Sequence, residues 1–276
     1  MSEPIPSHTK VIVDSPILFV KKLVGKIYLM RLQCEQVART AVPGQFVNIK
    51  VNQELIPLLR KPFSVCRRSV QEGWIDIVWK IVGKGTRTLA EHTSGDLLNL
   101  IGPLGGGFTI PPETRTALLV GGGLGVAPLP FLCEQLLEAR KQVVVFLGAK
   151  TKDELSLVDV FLHMGVELLL TTEDGSEGSA GLVTDILRDR LKPAKNLAGY
   201  HLFSCGPTGF LQAMQRITDE FEVDGQISIE TMMGCGFGIC MGCPVRLRNG
   251  RPGGGLYKLT CIDGPVFDAR EVVLDG

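Results

Sequence analysis

The chain has 276 residues, enough for two domains or so at roughly 150 residues each, and its 29 lysines plus arginines equal its 29 aspartates plus glutamates. That balance excludes a basic face for nucleic acid and a polybasic tail for anionic lipid. The N-terminus MSEPIPSHTK lacks the basic start and apolar core of an export signal, so the expected location is the cytoplasm.

From Lys10 to about Pro112 the pattern is short and strand-like: VIVDS, FVNIKV, WIDIVWKIV and DLLNLIG, punctuated by Pro43-Gly44, Glu72-Gly73 and Gly95-Asp96. Evenly spaced short strands with turn signals predict a small antiparallel β-barrel over residues 1–112. From about Glu113 to Glu222 strands alternate with helical stretches: TALLVGGG, LPFLCEQLLEARK, QVVVFLGA, VELLLTT, and YHLFSCGP before TGFLQAMQRITDEF. That alternation predicts a doubly wound parallel sheet over 113–222, with ligands beyond the carboxyl ends of its strands. The uncharged run Thr116–Cys133 is long enough to suggest a membrane span, but four glycines and two prolines interrupt it. Strand, loop and helix start fit it better, and the expectation is a soluble protein.

Residues 223–276 are rich in glycine and cysteine and end in one expected short strand, VFDAREVVL. A segment this small needs a metal or disulfide staple. The whole is expected to be an α+β multidomain chain, with no internal repeat.

Eight cysteines without an export signal point to metal or redox chemistry more than to a disulfide framework. GCGFGICMGC gives Cys235-x4-Cys240-x2-Cys243, and Cys261 follows in LTCIDGP. Three thiolates from one loop and a fourth from a distant strand end suit an iron–sulfur cluster, most simply 2Fe-2S. Structural zinc more often uses two separated cysteine pairs, and buried reduced thiols are the other alternative. Gly234, Gly236, Gly238 and Gly242 would let backbone N–H groups approach the cluster sulfurs.

In LLVGGGLGVAP, Gly121, Gly122, Gly123 and Gly125 follow an apolar strand and precede a helix, where backbone can approach a diphosphate. A tight turn without a ligand is the plainer alternative. RKPFSV, residues 60–65, sets cations beside a hydroxyl, and KIVGKGTRTLAE puts Gly85 and Thr86 at a helix start. Together they make a phosphate site, though each alone could be an ordinary barrel loop. Trp79 and Phe63, taken singly, fit the core better than a ring stack. Cys205 ends the last parallel strand facing the crevice, while Cys34, Cys66 and Cys133 are expected in the core. None of His8, His92, His163 and His201 stands in a catalytic pairing. Glu173 and Asp174, in TTEDGSEG, fit a loop near the nucleotide and a solvated turn equally well.

RKPFS, VGKGT, GPLGGGF, GGGLGVAPL, TEDGSEG, CGPTG, the cysteine loop and CIDGPVF occur in this order along essentially the whole chain. In this the sequence resembles the ferredoxin-NADP reductase superfamily and, more closely, the electron-transfer subunits of class 1B, NAD-dependent dihydroorotate dehydrogenases. The resemblance implies a barrel binding FAD, a domain binding NAD, and a C-terminal 2Fe-2S domain. It places flavin contacts on Lys61, Pro62, Phe63, Ser64, Val78, Trp79, Lys80, Gly85 and Thr86. Cys205 would lie where nicotinamide meets isoalloxazine, without acting as a nucleophile. It further implies a partner subunit that oxidises dihydroorotate at FMN in pyrimidine synthesis, with two copies of each chain.

Two departures stand out. Lysine, at Lys61, occupies the usual arginine position before the motif proline, with Arg60 one place earlier, and Gly106 replaces the asparagine of PLGNGF. Lys150 and Lys152 could meet the 2′-phosphate of NADP, whereas the resemblance implies NAD. Rival readings are the small subunit of a ferredoxin-dependent NAD(P) transhydrogenase or sulfide dehydrogenase, a hydrogenase or sulfite reductase diaphorase subunit, and an adaptor that keeps the cluster but has lost flavin or nucleotide binding.

Overall fold

The computed structural model describes residues 10–52, 54, 57–194, 196–250 and 255–274. His8 lies outside them. In the first part, β1 (Val11–Lys22), β2 (Ile27–Gln33), α1 (Glu35–Thr40), β3 (Phe46–Lys50), β4 (Lys61–Ser69), β5 (Trp74–Lys80), α2 (Lys84–Glu91) and β6 (Leu97–Leu104) follow one another. The six strands close into a barrel in the order β1-β2-β5-β4-β3-β6, every neighbouring pair antiparallel. Met30, Leu32, Ile49, Ile75, Ile77 and Trp79 fill its interior, each no more than 1 % exposed. The sequence patterns for β2 and β4 are less clean than the others. β4 carries Pro62, Arg67 and Arg68, and its pairing with β5 shifts register between Val65 and Arg67.

The second part contains β7 (Thr116–Gly122), α3 (Leu129–Glu138), β8 (Gln142–Ala149), α4 (Val158–His163), β9 (Glu167–Thr172), β10 (Ser179–Ala180), α5 (Val183–Leu191), β11 (Tyr200–Cys205), α6 (Thr208–Glu220) and β12 (Asp224–Ser228). β7 and β8 read as unbroken apolar runs because helices cover both faces of the sheet. Leu119, Val145 and Leu147 pack toward Leu132 and Leu136 of α3, while Leu118, Val120, Val144 and Phe146 pack toward Leu187 of α5 and Met214 of α6. α3 also reaches the barrel. Its Phe131 belongs to the barrel core, with the Arg68 guanidinium 4.9 Å above its ring, and its Glu134 pairs with Arg67 at 2.7 Å.

The last part adds β13 (Pro244–Leu247), β14 (Tyr257–Leu259), β15 (Val266–Asp268) and β16 (Val272–Val273). The parallel sheet runs β10-β9-β8-β7-β11-β12-β15, with β15 antiparallel to β12, and β14-β13-β16 form a small sheet of their own. The expected line between 222 and 223 therefore falls between α6 and β12, and the sheet continues across it. The single terminal strand read from VFDAREVVL is two strands in two sheets. Arg270 explains the break: its guanidinium turns back onto Asp219, Asp224 and the Thr218 carbonyl, pulling the chain out of β15. Gln215 of α6, buried, donates to the carbonyls of Ala269 and Val272 at 2.7 and 2.9 Å and fixes that corner.

Among the described residues no helix is long and apolar enough to cross a membrane. Because Phe131 fills barrel volume from a helix of the neighbouring domain, Phe131→Ala is expected to lower stability by about 3–5 kcal/mol. Chemical denaturation followed by tryptophan fluorescence measures it, and a loss below about 1 kcal/mol would contradict this packing.

Candidate functional site

Two clefts and a sulfur cluster lie close together. The first cleft, of about 410 Å³, is walled on the barrel side by Pro62, Phe63, Ser64, Val78, Trp79, Lys80 and Thr86. Gly125, Ala127, Pro128 and Cys205 close it from the sheet, with Ser228 at the end of β12 and Ile229, Glu230, Thr231 and Met233 from the segment after it. Ser64 sits there because β4 pairs with β3 in the register Asn48 to Pro62 and Phe46 to Ser64.

Trp79 is 1 % exposed, stacks on Tyr28 with ring centroids 5.7 Å apart, and donates Nε1–H to the Thr86 carbonyl at 3.0 Å. It is thus a core residue that also presents a face to the cleft. The Thr86 hydroxyl is engaged at the start of α2, accepting from the N–H groups of Val82 and Gly83 at 3.0 and 3.1 Å. What α2 offers an anion is its free first-turn N–H groups.

Lys61 and Gly85 are not on the cleft wall but lie beside it, together: a Cβ on Gly85 would stand 3.3 Å from Lys61 Cε. Arg60 turns the other way, onto the carbonyls of Asn48 and Asn99 at 3.3 and 2.9 Å and onto the Asn99 side chain. Of these two adjacent cations Lys61 is therefore the one at the α2 terminus, and Arg60 is a barrel brace. Gly106 is also structural, its N–H donating to the Gly264 carbonyl at 2.5 Å and joining the barrel to the C-terminal segment.

The second cleft, of about 380 Å³, opens beyond the carboxyl ends of β7, β8, β9 and β11, where parallel sheets bind ligands. Gly122, Gly123, Gly148, Lys150, Glu154, Glu173, Pro207 and Phe210 are among its walls. The four loop glycines divide by role. Gly121 is a buried strand residue, and a Cβ on Gly122 would meet the Phe210 ring at 3.0 Å. Gly123 alone of the four has open space and a left-handed backbone, φ +56°. Gly125 is needed for packing, since a Cβ there would lie 2.4 Å from the Cys205 carbonyl oxygen.

Lys80, on the first cleft, and Glu154, on the second, form an ion pair at 2.5 Å where the two meet. About a third of each side chain is exposed, so solvent screening leaves it worth well under about 1 kcal/mol. Lys152 is not on the wall, and its N–H donates to the Ser176 hydroxyl at 2.9 Å. Asp174 also binds Ser176, leaving Glu173 as the acid of that turn on the cleft. A larger hollow, of about 510 Å³, lies at the opposite, amino ends of β7, β11 and β12 and includes none of the expected site residues.

Cys205 is buried at the first cleft, and burial and then the charge of Glu230 push its thiol up to about 12 despite the Ser228 hydroxyl and the Gly206 N–H. It stays a neutral thiol at ordinary pH, suited to contact and not to attack. Glu230 itself has an exposed side chain, yet protein crowding the cleft wall raises its carboxyl by desolvation. Cys34, Cys66 and Cys133 are core residues.

The four C-terminal cysteines form two pairs. Cys243 and Cys261 are buried with their sulfurs 3.2 Å apart, and the Cys240 N–H points at the Cys235 sulfur at 3.4 Å. Desolvation works against the Cys235 thiolate, but N–H groups of Cys240, Phe237 and Ile239 and the Cys240 thiol outweigh it, bringing its pKa down to about 6. Burial and then the Cys243 sulfur push Cys261 up to about 12. Two pairs suit two irons with two protein ligands each. Gly236 and Gly238, at φ +81° and +91°, turn the loop's N–H groups inward.

A barrel, a doubly wound domain and a cysteine loop around adjoining clefts define a reductase of the ferredoxin-NADP reductase type carrying an iron–sulfur centre. Residues 230–273 match the family model for the iron-sulfur cluster binding domain of dihydroorotate dehydrogenase B, and residues 119–216 that for the oxidoreductase NAD-binding domain. The chain is 35% identical over 260 residues to the dihydroorotate dehydrogenase B (NAD(+)) electron transfer subunit of Desulforamulus reducens, covering 94% of this chain and 97% of that one. With the Bacillus mycoides subunit of that name identity is 38% over 256 residues, 92% and 95% of the two chains. The protein belongs to the dihydroorotate dehydrogenase B electron transfer subunits.

Among solved structures, one from the NADH-dependent reduced ferredoxin-NADP oxidoreductase, studied for flavin-based electron bifurcation, superposes with TM-score 0.82 at 33% identity, over 94% of this chain and 90% of that one. A Neisseria gonorrhoeae ferredoxin NADP+ reductase with bound FAD and NADP shares the fold at TM-score 0.64 and 16% identity, over 75% and 91%.

Sequence reasoning missed Glu154, Glu230, Phe46, Asn48 and Met233. Glu154 sits in the KTKDEL turn already suspected of nucleotide contact. The others carry no motif: β3–β4 register sets Phe46 beside Ser64 at the first cleft, Glu230 and Met233 reach that cleft from the segment after β12, and Asn48 meets the cysteine loop instead. In the iron-free chain Cys235 should alkylate with a midpoint near pH 6 and Cys261 only near pH 12. Mass spectrometry after iodoacetamide pulses checks the order, and equal reactivity at pH 7.5 would refute it.

Proposed function

We propose that this chain carries electrons between an FMN-containing dihydroorotate dehydrogenase subunit and NAD, with FAD in the first cleft, nicotinamide entering from the second, and a 2Fe-2S cluster on Cys235, Cys240, Cys243 and Cys261. The observation that carries this reading is a shared wall. Phe46 and Met233 line the first cleft and pack in one apolar cluster with Cys243 and Cys261. A single layer of side chains thus separates the flavin cleft from two cluster ligands.

When bound, flavin exchanges an electron pair with nicotinamide and single electrons with a cluster, which is why both are needed. The chain's own residues orient and insulate. Lys61 and the N–H groups at the start of α2 would hold a phosphate, and Pro62, Phe63, Ser64, Val78, Trp79 and Lys80 would line the ring system. Gly121, Gly122, Gly123 and Gly125 would shape the nucleotide loop, with Gly123 offering the free backbone approach. Neutral Cys205 would set the spacing of the two rings. Glu154 and Glu173 near Lys150 disfavour a 2′-phosphate, in keeping with NAD.

Exposed apolar residues lie on and next to the cysteine loop: Met232 at 92 % just before it, Ile239 at 77 % and Met241 at 63 % either side of the exposed Cys240, and Ile262 at 42 % beside Gly238. They suit the docking face for the FMN subunit, in a complex of two copies of each. The likeness to the electron-bifurcating oxidoreductase supports a second reading as a transhydrogenase subunit, which copurification with a ferredoxin-dependent partner would favour.

Anaerobic NADH should bleach the bound flavin and then produce a reduced-cluster EPR signal. Flavin that stays oxidised would overturn the reading in favour of an adaptor. Cys205→Ala should slow bleaching about tenfold by loosening the reacting geometry, with stopped-flow absorbance as the measure. Met241→Glu should weaken partner binding about thirtyfold or more, as a charge at a buried interface contact does, and leave NADH bleaching unchanged. Size-exclusion chromatography with the FMN subunit reads the first effect.

A further inference from the structure

Asn48 is the only polar residue in the buried stretch Phe46–Ile49 of β3, and it is 1 % exposed. Its Nδ2 donates to the Cys235 carbonyl at 2.7 Å, across 187 residues of sequence. The loop is moulded to this amide, because a Cβ on Gly236 would stand 2.5 Å from the same Nδ2, and Gly236 has φ +81°. The Oδ1 of Asn48 is buried without a partner. Leaving a buried acceptor unpaired is unfavourable, and an apolar side chain of the same size would avoid it. Packing therefore does not account for an asparagine here, whereas its donor does.

The backbone of Asn48 ties it to the flavin side. It pairs in register with Pro62, and its carbonyl accepts from Arg60 at 3.3 Å. One residue thus links the strand of the flavin motif to the first ligand of the cluster.

We propose that Asn48 is a positioning residue for the iron–sulfur cluster: its amide fixes the Cys235–Gly236 peptide, so that the N–H group of Cys240, 3.4 Å from the Cys235 sulfur, stays aimed at it. Hydrogen bonds to the ligating sulfur stabilise the more negative, reduced state, so Asn48 sets both the potential of the cluster and its retention. The inference rests on the cluster reading. Wild-type protein without iron would remove that reading, whereas iron-loaded wild type with indifferent variants would remove this inference alone.

The test uses the full chain, purified anaerobically with its flavin, as wild type, Asn48→Leu, Asn48→Asp and Gly236→Ala. FAD content and the flavin spectrum should be unchanged in all three variants. The EPR g-values of the reduced cluster and its midpoint potential should move, and loss of visible cluster absorption to a chelator should be at least about tenfold faster. A merely structural role would lower melting temperature and leave g-values and potential in place. Wild-type g-values, potential and chelator lifetime in Asn48→Leu overturn the proposal. If Asn48→Leu does not fold, Gly236→Ala decides in the same way: shifted g-values with FAD retained support it, and wild-type behaviour overturns it.

Discussion

At the carboxyl end of β11 the Gly125 backbone lies against the Cys205–Gly206 peptide so closely that no side chain fits between them. This approach sets the spacing between the nucleotide loop and the last parallel strand. It also brings Cys205 to the edge of the first cleft and sets Pro207, just ahead of α6, where the second cleft begins. Were the loop to stand away from β11, the two clefts would no longer share an edge, and a nicotinamide held in one could not reach a flavin in the other.

The C-terminal segment depends on that junction because it has no core of its own. Val245, Leu247, Phe267 and Val272 pack with Leu211 of α6 and Ile227 and Ile229 around β12, while Cys243 and Cys261 pack with Phe46 and Leu104 of the barrel. The cluster loop is thus supported from two sides by domains that precede it in the chain. Burial there raises Cys261, while loop N–H groups lower Cys235 in the other pair.

Much of this was legible in the sequence, for identifiable reasons. The apolar runs of β7 and β8 and the glycines after β7 announce a buried parallel sheet, and three cysteines in one loop announce a metal. Less legible was everything set by register between distant segments. Arg60 and Lys61 are adjacent cations in sequence, yet Arg60 braces Asn48 and Asn99 while Lys61 crosses Gly85. Thr86 reads as a helix-start residue of a phosphate site, and its hydroxyl is taken up in making that start, accepting from the N–H groups of Val82 and Gly83. Four consecutive-looking glycines serve three different ends, and Gly123 alone of them combines open space with a left-handed backbone. The tail VFDAREVVL reads as one strand because its apolar spacing is unbroken, and the side chain that breaks it, Arg270, acts through partners about fifty residues away.

The division of that tail between two sheets also dictates an order of assembly. β15 can add to the parallel sheet only after β12 is in place, and the Cys235 turn can settle only once Asn48 is presented by a closed barrel. The four thiolates therefore come together late, when both preceding domains already exist. On the proposed reading, iron would enter such a site last, and a chain that has acquired its metal would be one whose upstream folding is complete.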